Sequence, residues 1–89
     1  MWTIHKYYIP FGDQVVIQLP IGAKILCVHS QDNKPHLWAL INTESKLEDR
    51  FFLIMGTGRP VSVENMNKYL GTFFLYNDSQ VYHFFEIFP

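Results

Sequence analysis

The run Gly56-Thr57-Gly58-Arg59-Pro60 follows directly on the apolar stretch Phe51–Met55 and is the segment best suited to hold a ligand. Two glycines let the backbone adopt conformations closed to other residues, and they let a ligand approach peptide N–H groups. Successive N–H groups in such a turn can cradle a phosphate. Thr57 adds a hydroxyl, and Arg59 adds a planar cation suited to bidentate contact with phosphate or carboxylate. No Walker lysine, no Gly-x-Gly-x-x-Gly and no clear helix start accompany the run. The plainer reading is a tight turn that ends a strand.

Catalytic chemistry has less to build on. His5, His29, His36 and His83 each lie in or beside a predicted strand, with no metal-pair spacing and no His-Glu-x-x-His. Ser30, Ser62 and Ser79 lack a nucleophile-elbow context. Cys27 has no turn or helix terminus to activate it, and its place in an alternating apolar run predicts a core position. Glu44, Glu48 and Asp49 fall in a charged segment whose plain role is solvation. The residues therefore predict no enzyme, no metal site and no cofactor. Trp2, Trp38, Tyr7, Tyr8, Tyr69, Tyr76 and Tyr82 carry polar handles that a fully buried core would have to satisfy. Some of them are expected at a surface, where flat rings stack on bases or fill a partner's pocket.

These residues need a scaffold, and 89 residues allow one domain, 1–89. Hydrophobic residues make up 48% and charged residues 17%, the latter against roughly 25% in an average soluble domain. So much apolar content in a chain this short predicts a homo-oligomer. A formal charge of −1 argues against general nucleic-acid binding, which draws on a basic excess. The lone Cys27 excludes an internal disulfide and fits a reducing cytosol. No signal peptide and no membrane-spanning run is legible.

Period-two patterning predicts about seven antiparallel strands in a small meander sandwich or partly open barrel, with little helix. They run over Trp2–Ile9, Gln14–Leu19, Lys24–Gln31, His36–Asn42, Arg50–Met55, Lys68–Tyr76 and Val81–Phe88. Asp32–Pro35 and Asn77–Gln80 are expected turns, Thr43–Arg50 a solvated loop, and Arg59–Asn67 an irregular stretch with room for a turn of helix. Arg50–Met55, apolar on both faces, reads as a central strand. Gly71 inside a strand predicts a bulge or a close approach of another backbone. The aromatic last strand must be paired within the sheet or at a subunit interface.

The segments "LPIGAKILCVHSQDNKPHLWALIN", "RFFLIMGTGRPV", "YLGTFF" and "VYHFFE" together resemble a family of small bacteriophage and prophage proteins of unknown function. The resemblance runs from Leu19 to Glu86 and points to Trp38, Gly56, Thr57, Gly58, Tyr69, Gly71, Thr72 and His83. It implies a viral setting in the host cytoplasm. The expected function is an anti-defence binding protein that sequesters a nucleotide immune signal in an oligomeric pocket. Gly56, Thr57, Gly58 and Arg59 would take the phosphate, with Trp38, Tyr69 and His83 completing the site. The alternatives are an inhibitor of a host defence protein and a structural or accessory phage protein with no small ligand.

Overall fold

The computed structural model describes residues 1–63 and 68–88. The chain forms seven strands: β1 (Trp2–Tyr8), β2 (Gln14–Pro20), β3 (Lys24–Gln31), β4 (Lys34–Asn42), β5 (Leu47–Gly56), β6 (Lys68–Leu75) and β7 (Gln80–Ile87). They make two antiparallel sheets, ordered β1-β4-β3 and β2-β5-β7-β6. The fold is the expected all-β one, with the sheets face to face rather than closed into a barrel. Only β3–β4 and β6–β7 pair as sequence neighbours. The expectation for Arg59–Asn67 falls partly on Glu64–Asn67, outside the described residues.

Alternation builds the core. Leu37, Ala39 and Ile41 of β4 face inward against Phe52 and Ile54 of β5, Phe73 and Leu75 of β6, and Phe84 of β7. Phe52 and Phe84 stack at 4.8 Å and are fully buried, and each such ring contributes about 1.5–3 kcal/mol. β5 is central, as its two apolar faces predict, and β7 is paired on both sides. The aromatic last strand is therefore covered within its own sheet.

Both hairpin turns run through positive φ, which Asp and Asn tolerate and which is unusual for Tyr76. Asp32 (54°) and Asn33 (59°) close β3–β4, a tighter turn than Asp32–Pro35, so that Pro35 joins β4. Tyr76, Asn77 and Asp78 turn β6 into β7. The two turns meet where the Asn77 amide donates to Asn33 Oδ1 at 3.3 Å.

Two expectations need correction. Cys27 is exposed, because a bulge between Ile25 and Cys27 shifts the parity of β3 and gives the inward place to Val28. Thr43–Arg50 is not all loop: Leu47–Arg50 extends β5 by pairing with Ile17–Pro20 of β2. The charges deterred a strand assignment, yet Glu48 and Asp49 stand exposed on that extension and Gln18 Nε2 donates to Asp49 Oδ1 at 3.1 Å.

Arg50 itself lies inside. Its Nε donates to Glu86 Oε2 at 2.6 Å, Nη2 to Glu86 Oε1 at 2.7 Å, and Nη1 to the Ala23 carbonyl at 2.5 Å. Hydrogen bonding to Glu86 pushes the Arg50 pKa above its already high ordinary value, against the lowering effect of burial. Sequence reasoning missed this pair, since nothing local links positions 50 and 86.

Gly71 sits at the expected bulge, and what comes close to it is a side chain of the opposing sheet rather than another backbone. β6 bulges between Tyr69 and Gly71, and a Cβ at Gly71 (φ 154°) would lie 2.7 Å from Val28 Cγ2 of the opposing sheet. The missing side chain lets β3 and β6 pack closely.

Candidate functional site

The Gly-Thr-Gly-Arg run is a β-turn at the end of β5. The Arg59 amide donates to the Gly56 carbonyl at 3.2 Å, and Gly58 takes φ 89° at the third position. A type II turn needs that positive φ, which is the physical reason for a glycine there. The Thr57 amide is also engaged, donating to the Val81 carbonyl at 3.1 Å. Two of the amides that could cradle an anion are thus bonded within the chain. The charge of Arg59 then carries more of any anion contact than the expected cradle.

On the outer face of the second sheet the turn is braced by a hydrogen-bonded cluster. Thr57 Oγ1 lies 2.7 Å from His83 Nε2. His83 Nδ1 lies 2.9 Å from the Tyr69 hydroxyl and 3.2 Å from Thr72 Oγ1, and Tyr69 and Thr72 also bond each other. The cluster exists because β6 and β7 pair Thr72 with His83 while β5 and β7 pair Met55 with His83. Both imidazole nitrogens therefore have partners, and the ring ties the turn to two strands. Phe85, the next outward residue on β7, supports Tyr69 edge-on at 5.0 Å.

On the other side of the turn lies a groove of about 520 Å³, within the range of small-molecule sites. Phe11, Gly12 and Asp13 of the β1–β2 connection form one wall, and Met55, Gly56, Arg59 and Pro60 form the other. Tyr82 reaches it from β7, held in place by a stacked Phe73 at 5.6 Å and an edge-on Phe11 at 5.0 Å. A Cβ at Gly56 would lie 3.7 Å from Arg59 Cγ and 3.9 Å from Tyr82 Cε1. Both are ordinary van der Waals distances, so the Arg59 stem and the Tyr82 ring flank Gly56 without crowding it. The loop carrying Phe11 is fixed to β5 by the Ile54 amide, which donates to the Asp13 carbonyl at 3.0 Å. A second groove, of about 350 Å³, runs from Thr57 and Arg59 along Ser79–Tyr82. Arg59 borders both, and among the described residues it has no ion-pair partner.

Six of the seven expected site residues thus gather around one turn: Gly56, Thr57, Gly58, Arg59, Tyr69 and His83. Trp38 does not. Its neighbours Leu37 and Ala39 fill the core, so Trp38 faces outward on the first sheet, between Lys6 and Cys27. It cannot stack on a base held by Arg59. The rings that line the groove with Arg59 are Phe11 and Tyr82. Phe11 carried only a local signal of a turn, and its approach to Tyr82 depends on a contact between distant positions.

The arrangement offers a cation, a ring pair and backbone beside a groove, which suits a flat anionic ligand. Among the described residues no group of three or more His, Cys, Asp or Glu side chains converges as metal ligands. No helix among them is long and apolar enough to cross a membrane.

No curated protein and no solved structure matches the chain significantly. A family profile, described as a domain of unknown function, matches residues 1–88. With nearly its whole length covered, the chain belongs to that family, DUF7352.

Proposed function

We propose that the protein is a non-catalytic binder of a nucleotide-like anion. It acts as a phage-encoded anti-defence protein that sequesters a nucleotide signal in the host cytoplasm. The observation that carries this reading is Arg59 beside the Phe11–Tyr82 ring pair at the mouth of a nucleotide-sized groove. The guanidinium meets a phosphate, and the rings take a base by stacking or edge contact. Asp13, on the same wall, offers an acceptor for a base amino group or a ribose hydroxyl. Thr57, His83, Tyr69 and Thr72 hold the turn in place and so position Arg59 before a ligand arrives. The viral setting is supported by the resemblance of segments from Leu19 to Glu86 to phage proteins.

A thermal-shift screen of the native protein and Arg59→Ala against cyclic and linear nucleotides tests the reading. Stabilisation of the native protein that Arg59→Ala loses supports it. Equal stabilisation of both proteins puts the ligand elsewhere. A bound nucleotide recovered as a cleaved product overturns the non-catalytic part. A second reading, direct blockade of a host defence protein, is favoured by exposed Val16, Phe51, Tyr69 and Phe74 on the outer face of the second sheet. A native protein unmoved by every nucleotide transfers the assignment there.

A further inference from the structure

We propose that the open edge of β1 pairs antiparallel with β1 of a second copy, joining two three-stranded sheets into one of six strands. This does not rest on the nucleotide site, which lies on other strands.

The four sheet edges differ in how well they are closed to pairing. β3 and β6 are each broken by a bulge. β2 ends at Pro20, which has no N–H and whose carbonyl accepts from Ala23 at 3.0 Å. Bulges and prolines of this kind block edge-to-edge association. β1 has neither. It is a regular seven-residue strand, with Trp2, Ile4 and Tyr8 all more than half exposed.

The register defines what that edge presents. Two bonds continue the β1–β4 ladder beyond its ends: the Thr43 amide donates to the Met1 carbonyl, and the Ile9 amide donates to the Pro35 carbonyl. In an antiparallel pair alternate residues direct both backbone groups to the partner. Odd-numbered residues therefore face β4, and Trp2, Ile4, Lys6 and Tyr8 direct N–H and C=O to the open side. Four residues with two groups each make eight unpaired groups.

A two-fold axis through His5 satisfies all eight. It sets Trp2 opposite the second copy's Tyr8 and Ile4 opposite its Lys6, each as a doubly hydrogen-bonded pair. Even positions share the outer face, so the large rings at the strand ends meet as cross-strand aromatic pairs. Lys6 meets isoleucine rather than another lysine, and no like charges of the lysines oppose. A strand that complements itself in this way identifies a second copy as the occupant, in the isologous arrangement usual for homodimers.

Ile4→Pro is the decisive variant. The Ile4 amide points away from β4, so proline there removes an outward donor and leaves the fold intact, as edge prolines do. Sedimentation at about 50 µM, a range that reveals micromolar association, should give twice the chain mass for the native protein and the single chain mass for Ile4→Pro. Circular dichroism should show both folded. A second variant covers the case in which Ile4→Pro fails to fold. His5→Cys in a Cys27→Ser background places two thiols across the axis, within the Cα separation a disulfide spans. Mild oxidation should convert it to a covalent dimer. A monomeric native protein overturns the proposal. So does a dimer that survives Ile4→Pro, or one in which His5→Cys yields no cross-link.

Discussion

Two arginines, one within β5 and one just past its end, stand in opposite environments. Arg50, in its first half, has its Nε and both terminal nitrogens engaged by Glu86 and the Ala23 carbonyl, and both charged side chains are nearly buried. Arg59, just past its end, is exposed and borders two grooves. The residue type is the same; the environment decides the role. A guanidinium whose donors are already matched is part of the scaffold. One held on a braced turn beside aromatic rings is available to a ligand.

The sharpest way to break the comparison is at Glu86. Glu86→Ala leaves Arg50 buried without its counter-charge, and denaturant unfolding should show a loss of about 3–5 kcal/mol. The paired exchange Arg50→Met with Glu86→Leu should recover most of that loss, because the cost lies in the unpaired charge. If Glu86→Ala unfolds like the native protein, the pair is not structural. Gly71→Ala comes next. Its Cβ must displace Val28 and accept an unfavourable φ, so a loss of about 1–3 kcal/mol is expected. Gly58→Ala has no steric conflict, since nothing lies within 4 Å of the added Cβ. Only the positive φ is penalised, and thermal unfolding should report about 1–2 kcal/mol. Thr57→Val removes the contact to His83 and should lower stability by about 0.5–1.5 kcal/mol in the same measurement. Arg59→Ala sits at the end of the series, with stability within about 0.5 kcal/mol of native.

The strands were legible because alternation is a local signal. Gln14–Leu19, Lys24–Gln31 and Lys68–Tyr76 agree with the observed strands to within a residue. What depends on distant partners was not legible. Cys27 was misassigned because one bulge reverses the parity of every residue beyond it. The β2-β5-β7-β6 order and the Arg50–Glu86 bond join positions that no local pattern connects. The candidate site shows the same division. The Gly-Thr-Gly-Arg turn could be found from its glycines at a strand end, and Tyr69 and His83 came with it through a resemblance of segments. Trp38 could have been placed correctly from Leu37 and Ala39, which take the inward positions on either side of it.

Arg59 is where the functional claim is most directly tested. Backbone amide spectra of the native protein should be recorded during titration with 5′-AMP and with a cyclic di-adenylate. The predicted shifts are confined to Phe11–Asp13, Gly56–Arg59 and Tyr82. Arg59→Ala should weaken the binding roughly ten- to a hundredfold, the equivalent of one charge-assisted hydrogen bond. Shifts centred on Trp38 and Cys27, or spectra unmoved by either nucleotide, would contradict the assignment of this groove.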